Sequence, residues 1–356
     1  MDLITHSLDL ITSTQSSTGA FMASPHFPTY RYCWFRDGAF IAYALDQWGR
    51  SAAARQFHQW AARTVLAHRP AAERGIAKGK RSESLGPEDY LHTRYQADGN
   101  PGTEEWGNFQ LDGLGTWLWS LEQHLKLAQR TPTVSELDAA GLVGRYLAAL
   151  WRLPNYDCWE ELPDRVHVST LAAIAAGLRA ASRLIKYSAF TAEAEATRQF
   201  VLDQGVMDGH LVKYLGSTEV DGNLLWVAWP YQLLPPSHPV IRNTVARIEQ
   251  TLKEPNGGVH RYRADTYYGG GEWLLLTAWL GVYYALGQGQ RQAQAVVRWL
   301  EEQANQEGHL SEQVGPQLHP GRYQEWVDRW GPVACPLLWS HASYLTLCAT
   351  LKLRHG

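Results

Sequence analysis

The sequence predicts an all-α fold in which helical hairpins close into a toroid. Apolar residues recur at spacings of three and four in many segments, and no convincing stretch alternates strictly, as a half-buried strand does. Long polar loops separate the helical segments, and the absence of an obvious repeat at a fixed period argues against an open solenoid. We therefore expect about a dozen helices in a single domain over residues 1–356, with strands as a minor component.

Five of the expected helices have especially regular apolar spacing. Each carries an apolar stripe along one face, which is typical of a helix packed against a core. In chain order the stripes are Phe40, Ile41, Ala44, Leu45 and Trp48; Leu111, Leu114, Leu118, Leu121 and Leu125; Leu171, Ile174 and Leu178; Ile241, Val245, Ile248 and Leu252; and Leu338, Ala342, Leu345 and Ala349.

Four long loops between the helices are rich in Gly, Pro, Asp and Trp. They cover residues 90–109, 153–164, 254–273 and 307–321. No Ser/Gly/Pro-rich linker divides the chain, which favours one domain. Because loops on a rigid scaffold usually carry the chemistry, we expect the functional residues here, gathered at one end of the toroid.

The composition indicates a neutral, half-polar ligand. The net charge is −3, from 32 basic and 35 acidic residues without a long run of one sign, which argues against a nucleic-acid partner. The chain has 16 Trp and 17 Tyr but only 8 Phe, so most aromatic rings carry a polar group. Although most of these rings are expected to fill helix contacts, such a surplus also suits a sugar, with its apolar ring face and outward hydroxyls.

The sequence predicts a cytoplasmic protein with no membrane partner. Its first residues lack a basic region followed by an apolar run, and no apolar run approaches the roughly 20 residues that cross a bilayer. The four cysteines form no C-x-x-C pair, and no nearby histidine would activate one as a nucleophile. The 14 histidines show no metal-ligand spacing, so we expect no metal and no cofactor.

Residues 155–164, NYDCWEELPD, place three carboxylates, Asp157, Glu160 and Glu161, around Trp159. Glutamates ahead of a helix beginning near Val166 would also complement the helix dipole. However, Pro163 interrupts the segment, and a dipole does not require an adjacent indole. Because desolvation by an indole raises the pKa of a carboxyl group, this stretch is a candidate for a general acid.

Four further stretches combine charged and aromatic residues, and each has a simpler structural interpretation. Asp37, after Arg36, would begin a helix, and Asp112, after Trp106, would cap one. Arg261 and Asp265 would form a surface ion pair, and Glu312 would be a solvated loop acid. Together, however, the five stretches supply the acid and base of an inverting glycoside hydrolase, whose carboxyl groups stand roughly 6.5–9.5 Å apart.

These stretches resemble the catalytic domain of glycoside hydrolase family 15, the glucoamylase family. The resemblance runs from about Thr18 to Leu351, and five motifs occur in the family's order. They are YRYCWFRD at 30–37, WGNFQLDGLG at 106–115, YDCWEE at 156–161, RYRADTYYGGGEW at 261–273, and SEQVG at 311–315 followed by LLWSHASYL at 337–345.

The resemblance implies an (α/α)6 barrel and a role for each site residue. Glu160 would be the general acid and Glu312 the general base. The resemblance also implies substrate contacts: Arg36, Asp37 and Arg261 would bind hydroxyls of the terminal glucose, and Trp34 and Trp339 would line the −1 pocket. Trp106 would contact the acid and the +1 sugar, and Glu161 would contact the +1 sugar. Asp157 would form part of the polar surroundings of the acid, and Tyr30 would position the catalytic water.

The resemblance also implies an inverting exo-hydrolase that releases β-D-glucose from non-reducing ends. Family members act on α-1,4 or α-1,6 linkages and a few on trehalose. We expect neither the N-terminal β-sandwich of bacterial members nor the starch-binding module of fungal ones. Short soluble α-glucosides, either isomaltose-type or malto-oligosaccharides, are therefore the expected substrates.

Two alternatives stay open on the sequence. A sugar-sensing module on the same barrel would keep the fold without the chemistry, although Glu160 and Glu312 are both present. A phosphorylase would use inorganic phosphate in place of water, but a carboxylate at Glu312 would repel phosphate.

Overall fold

The computed structural model describes residues 2–353 and is mostly helical. Fourteen α-helices lie in this part of the chain: α1 (Leu3–Ser13), α2 (Phe35–Gln47), α3 (Ser51–Ala67), α4 (Arg69–Lys80), α5 (Asp112–Leu127), α6 (Val134–Leu150), α7 (Val168–Ile185), α8 (Ala189–Gln204), α9 (Leu225–Ala228), α10 (Pro239–Thr251), α11 (Leu274–Leu286), α12 (Gln290–Glu302), α13 (Tyr323–Trp330) and α14 (Leu338–Thr350).

Strands are a minor component, as predicted. Among residues 2–353, six two-residue strands form three antiparallel pairs: β1 (Cys33–Trp34) with β2 (Arg94–Tyr95), β3 (Val206–Met207) with β4 (His210–Leu211), and β5 (Glu272–Trp273) with β6 (Gln313–Val314). In the first pair Trp34 lies opposite Arg94, and in the third Trp273 lies opposite Gln313. In the first and third pairs, β1 and β5 lie directly before α2 and α11.

The apolar stripes correspond to observed helices. The buried stripe from Leu111 to Leu125 coincides with α5, and the other four coincide with α2, α7, α10 and α14. Leu111 lies directly before α5, and Trp48 and Leu252 lie directly after α2 and α10. Residues with intermediate or high exposure cover the outer surface of α10, as its polar positions predict.

The chain divides into two compact units. The Glu160 unit consists of Gln15–Phe21 and Tyr32–Gly205, and the Glu312 unit consists of Met1–Thr14, Met22–Arg31 and Val206–Gly356. The expectation of a single domain stays a prediction.

In the Glu160 unit, α5 packs against both α2 and α7. Glycine residues allow the backbones of α5 and α7 to approach closely where the two helices cross. A Cβ atom on Gly115 would lie 2.4 Å from the carbonyl oxygen of Ala173, and one on Gly177 would lie 2.7 Å from Cα of Gly115. The two backbones therefore touch, which leaves no room for larger residues.

In the Glu312 unit, α11 packs against α12 and α14, and α1 covers α14. Helix α11 is apolar around most of its circumference, as expected for a helix with neighbours on several sides. The loops after α10 and α12 lead to β5 and β6 and carry the candidate residues Arg261 and Glu312.

Helix α7 is long and apolar enough to cross a membrane by length and composition alone. Its 18-residue window is 78% buried inside the protein, which is the burial of a core helix.

Candidate active site

A tight turn holds Glu160 in the middle of the loop between α6 and α7. Asp157 Oδ1 accepts hydrogen bonds from the backbone N–H groups of Trp159 (2.9 Å) and Glu161 (3.0 Å), and Glu160 N–H donates to the carbonyl of Asp157 (2.9 Å). Glu160 has a φ of 67°, in the left-handed region that side chains other than glycine rarely adopt. The buried Asp157 carboxylate therefore maintains a strained turn, and such strain is concentrated at functional sites.

The Glu160 carboxyl group contacts two nitrogen donors. Trp34 Nε1 donates to its Oε1 over 2.5 Å, and Gln110 Nε2 donates to the same atom over 3.1 Å. Desolvation raises the pKa of Glu160, and the charges of Arg36 and Arg94 and these two hydrogen bonds oppose that rise. A raised pKa suits a general acid, which must be protonated before it acts.

Gln110 joins the acid to its surroundings. Its side-chain oxygen accepts from Arg36 Nη1 (3.1 Å) and Thr93 Oγ1 (3.0 Å), while its nitrogen donates to Glu160 and to the carbonyl of Gly107 (2.7 Å). All four bonding positions of this amide are thus engaged, which fixes its orientation. Gln110 was part of a recognised motif, but nothing in its local spacing marked it as a contact of the acid.

Arg36 and Asp37 lie in the first turn of α2, and both are buried. Arg36 Nη1 lies 3.2 Å from Asp112 Oδ2, and its Nε lies 3.5 Å from Asp37 Oδ2. Burial raises the pKa of Asp37 to about 7, Arg36 opposes the rise, and Glu160 and Asp112 add to it. Asp37 and Asp112 are therefore members of a buried charged cluster as well as residues of helix first turns.

Trp106 and Glu161 complete the candidate residues of the Glu160 unit, and both are half-buried. The Trp106 ring meets the Trp34 ring edge-on, with 6.1 Å between centroids. The structure therefore brings Trp34, Trp106 and Glu160 into one contiguous group.

In the Glu312 unit, Glu312 is buried and not the solvated loop acid of the simpler interpretation. Only 3% of its surface is exposed, and its backbone N–H donates to the carbonyl of Ala334 (2.9 Å). Tyr30 donates its hydroxyl to Glu312 Oε1 over 3.1 Å, and the Tyr30 and Tyr267 hydroxyl oxygens lie 2.6 Å apart. A carboxylate and a neighbouring hydroxyl group can together bind and orient a nucleophilic water molecule.

The surface ion pair considered for Arg261 and Asp265 is wrong, because both side chains are buried. Arg261 Nε donates to Asp265 Oδ2 over 2.7 Å, and Nη2 donates to Oδ1 in a second, parallel bond. The guanidinium also lies within 5.3 Å of the ring centroids of Tyr267 and Trp273. The four-residue spacing of Arg261 and Asp265 is the same for an exposed ion pair and for a buried one surrounded by aromatic rings, so the sequence did not distinguish the two.

Trp339 lies in the first turn of α14 and is also buried. Its ring lies 5.5 Å from that of Trp226, and the neighbouring Ser340 hydroxyl donates to the carbonyl of Ser311 (2.8 Å). Since Ser311 precedes Glu312, this bond ties the start of α14 to the loop of the candidate base. The sequence analysis did not predict Tyr267 as a site residue, although Tyr267 lies in the motif at 261–273.

One group of described residues has donor atoms close enough for a metal ion, the buried Asp46, His58 and His124 of the Glu160 unit. His124 Nδ1 lies 2.9 Å from Asp46, and its Nε2 accepts from Arg130 Nε (3.0 Å). Because arginine only donates, the imidazole proton must lie on Nδ1, facing Asp46. Both ring nitrogens of His124 thus form hydrogen bonds, and the adjacent guanidinium of Arg130 would repel a metal ion. This group is therefore better described as a buried hydrogen-bond network than as a metal site.

Comparison with known proteins agrees with this geometry. The model of "Glycosyl hydrolases family 15" matches residues 2–298. The isomaltose glucohydrolase of Kribbella flavida is 43% identical, over 99% of this chain and 93% of that protein. A glycosidase variant solved in complex with glucose superposes with a TM-score of 0.94 at 40% identity, over 99% of this chain and 97% of the other.

A more distant likeness supports the fold. A bacterial glucoamylase complexed with acarbose superposes with a TM-score of 0.78 at 19% identity, over 99% of this chain and 56% of that one. The predicted (α/α)6 barrel, the fold of these relatives, is confirmed. The chain belongs to glycosyl hydrolases family 15 and is a glucoamylase-like, exo-acting glycoside hydrolase.

Proposed function

We propose that this enzyme releases β-D-glucose from the non-reducing end of short α-glucosides, with isomaltose-type substrates preferred. The observation that carries the chemistry is Glu160, a desolvated carboxyl group with a raised pKa, bonded by an indole and an amide. The preference for the α-1,6 linkage is supported by the 43% identity to an isomaltose glucohydrolase.

Glu160 is the proposed general acid. Its proton passes to the glycosidic oxygen as the bond from that oxygen to C1 breaks, so the leaving sugar departs as a neutral alcohol. Trp34 and Gln110 orient the carboxyl group for this transfer. They also leave Oε2 free of these two bonds, which suits it as the atom that carries the proton.

Glu312 is the proposed general base. Its carboxylate takes a proton from a water molecule whose oxygen forms the new bond to C1 on the opposite face of the sugar, which inverts the anomeric centre. Tyr30, held by Tyr267, would orient this water through its hydroxyl. Proton uptake and release balance over one cycle, with one water consumed.

The remaining candidates are proposed to bind the substrate. The hydroxyls of the terminal glucose would replace water as hydrogen-bond partners of three buried charged residues, Arg36, Asp37 and Arg261. The indoles supply apolar faces: Trp34 and Trp339 for the −1 sugar, and Trp106, with the carboxylate of Glu161, for the +1 sugar. Asp157 would act on the acid through the backbone turn that it caps.

The first test is glucose release from maltose, isomaltose, trehalose, panose and soluble starch, with proton NMR of the fresh product. We expect β-glucose, released fastest from isomaltose. α-Glucose would overturn the inverting mechanism, and faster cleavage of maltose or trehalose would overturn the linkage. Binding without release would favour a sugar-sensing module, and glucose 1-phosphate formed on adding phosphate would favour a phosphorylase.

We also propose that the enzyme acts in the cytoplasm. The four cysteines all lie among residues 2–353 and form no disulfide bond, and Cys33, Cys158 and Cys348 are buried, an arrangement that a reducing compartment preserves. Cell fractionation tests this, and recovery of the activity outside the cytoplasm would overturn it.

A further inference from the structure

Arg94 is a buried cation that the mechanism above does not use. It lies on β2 with 2% of its surface exposed. Its guanidinium carbon lies 3.8 Å from the ring centroid of Trp106, 4.1 Å from that of Tyr32 and 5.5 Å from that of Trp34. Three aromatic rings thus surround one positive charge.

Strand pairing puts Arg94 in this position. Trp34 on β1 and Arg94 on β2 are directly opposite residues of the antiparallel pair. The carboxylate of Glu104 lies 3.5 Å from Arg94 Nη2 and accepts a hydrogen bond from the Tyr32 hydroxyl (2.5 Å). Since the Glu104 side chain is 59% exposed, solvent weakens this ion pair, and much of the compensation for burying Arg94 must come from elsewhere.

The aromatic faces provide such compensation. A cation over an indole or phenol face is attracted by the negative charge above the ring, and the attraction is strongest where water is excluded. The same contacts restrict the rings. Trp34 donates the 2.5 Å bond to Glu160, and Trp106 packs edge-on against Trp34. Arg94 therefore lies over the ring that bonds the acid and over the ring that packs against it.

We infer that Arg94 is a positioning residue that holds the Trp34 and Trp106 rings beside Glu160, so that the leaving-group sugar meets a preset aromatic surface. This inference rests on the proposed role of Glu160 as the general acid. In this inference Arg94 acts by holding the two indoles in place. Its positive charge also lowers the pKa of Glu160, which gives the inference a second, electrostatic readout.

The test replaces Arg94 by Met, which keeps the length of the side chain but removes the charge and the planar group, and by Lys, which keeps only the charge. The matched control is Arg152→Met. Arg152 lies 3.8 Å over the Trp151 ring in the same unit and is exposed. Arg152→Met therefore removes a comparable cation–ring contact away from Glu160.

For Arg94→Met we expect the KM for isomaltose to rise about threefold to thirtyfold, the range that a lost cation–ring contact spans, while Arg152→Met stays at the wild-type value. The alkaline limb of kcat/KM against pH should move to higher pH in Arg94→Met, because Glu160 keeps its proton longer. In Arg94→Lys the KM should rise but the limb should stay, because the charge remains.

An activated glucoside with a small leaving group that needs no proton provides the remaining comparison. Its KM should change much less in Arg94→Met, since it does not use the aromatic surface. Equal loss on both substrates with an unmoved alkaline limb would overturn the inference and leave Arg94 a purely structural residue. If Arg94→Met does not fold, the KM of Arg94→Lys decides, and a wild-type value there overturns the inference. Failure of the proposed function would appear separately, as a wild-type enzyme that releases no glucose.

Discussion

Trp34 Nε1 donates a hydrogen bond of 2.5 Å to Oε1 of Glu160, and this contact joins residues 126 positions apart. A donated N–H stabilises the charged carboxylate, whereas desolvation favours the protonated form. Desolvation is the larger effect, so the pKa of Glu160 is raised despite the indole. Trp34 thus limits how far the pKa of the acid rises.

Replacing Trp34 by Phe should therefore raise the pKa of Glu160 further. In an inverting hydrolase the acid must be protonated, so the alkaline limb of kcat/KM should move to higher pH, and kcat should fall as the carboxyl group loses its orientation. The control is Trp151→Phe, which removes an indole bond to the carboxylate of Glu193 (3.0 Å) in the same unit. A limb that moves to lower pH, or moves equally in the control, would contradict the assignment.

The two glutamates should differ in their response to the leaving group. Both Glu160→Gln and Glu312→Gln should reduce kcat on isomaltose about 10²- to 10⁴-fold, the usual contribution of a general acid or base. On an activated glucoside whose leaving group needs no proton, Glu160→Gln should recover much of the rate and Glu312→Gln should not. Steady-state kinetics on both substrates measures this, and equal losses in Glu160→Gln would show that Glu160 is not the acid.

Tyr30→Phe should impair the base side of the reaction. It removes the hydroxyl that bonds Glu312 and Tyr267, and a lost bond to a charged group corresponds to about a 10- to 100-fold drop in kcat, with less change in KM. Tyr344→Phe is the matched control, because that hydroxyl bonds the carboxylate of Glu301 (2.9 Å) in the same unit. Equal kinetic constants in the two variants would refute a role for Tyr30 in catalysis.

Asp265→Asn should destabilise the protein strongly. It leaves the buried Arg261 charge without its carboxylate, and breaking a buried pair in this way typically costs about 3–5 kcal/mol. The exposed pair of Arg198 and Glu195 provides the control, since Glu195→Gln should change stability by less than about 1 kcal/mol. Urea unfolding of the two variants compares them, and similar midpoints would show that the Arg261 charge is neutralised in another way.

Local patterns in the sequence determined the helices and the turn that carries Glu160. The spacing of Leu111 to Leu125 is that of α5 because burial of one face imposes the helical period wherever the helix packs. The acid turn is also local, since Asp157 caps N–H groups two and four residues ahead. The motif order was sufficient to identify the family, its barrel fold and both candidate carboxylates.

Only the tertiary structure decided which charges are buried and what they touch. Tyr30 and Glu312 are 282 positions apart, and Arg94 meets Trp34 only because two short strands pair. The same holds for Gln110 on Glu160 and for the rings around Arg261. The burial of a side chain and the identity of its partners depend on residues from distant segments, so local spacing does not predict them. A helical period or a capped turn, in contrast, is determined within a few consecutive residues.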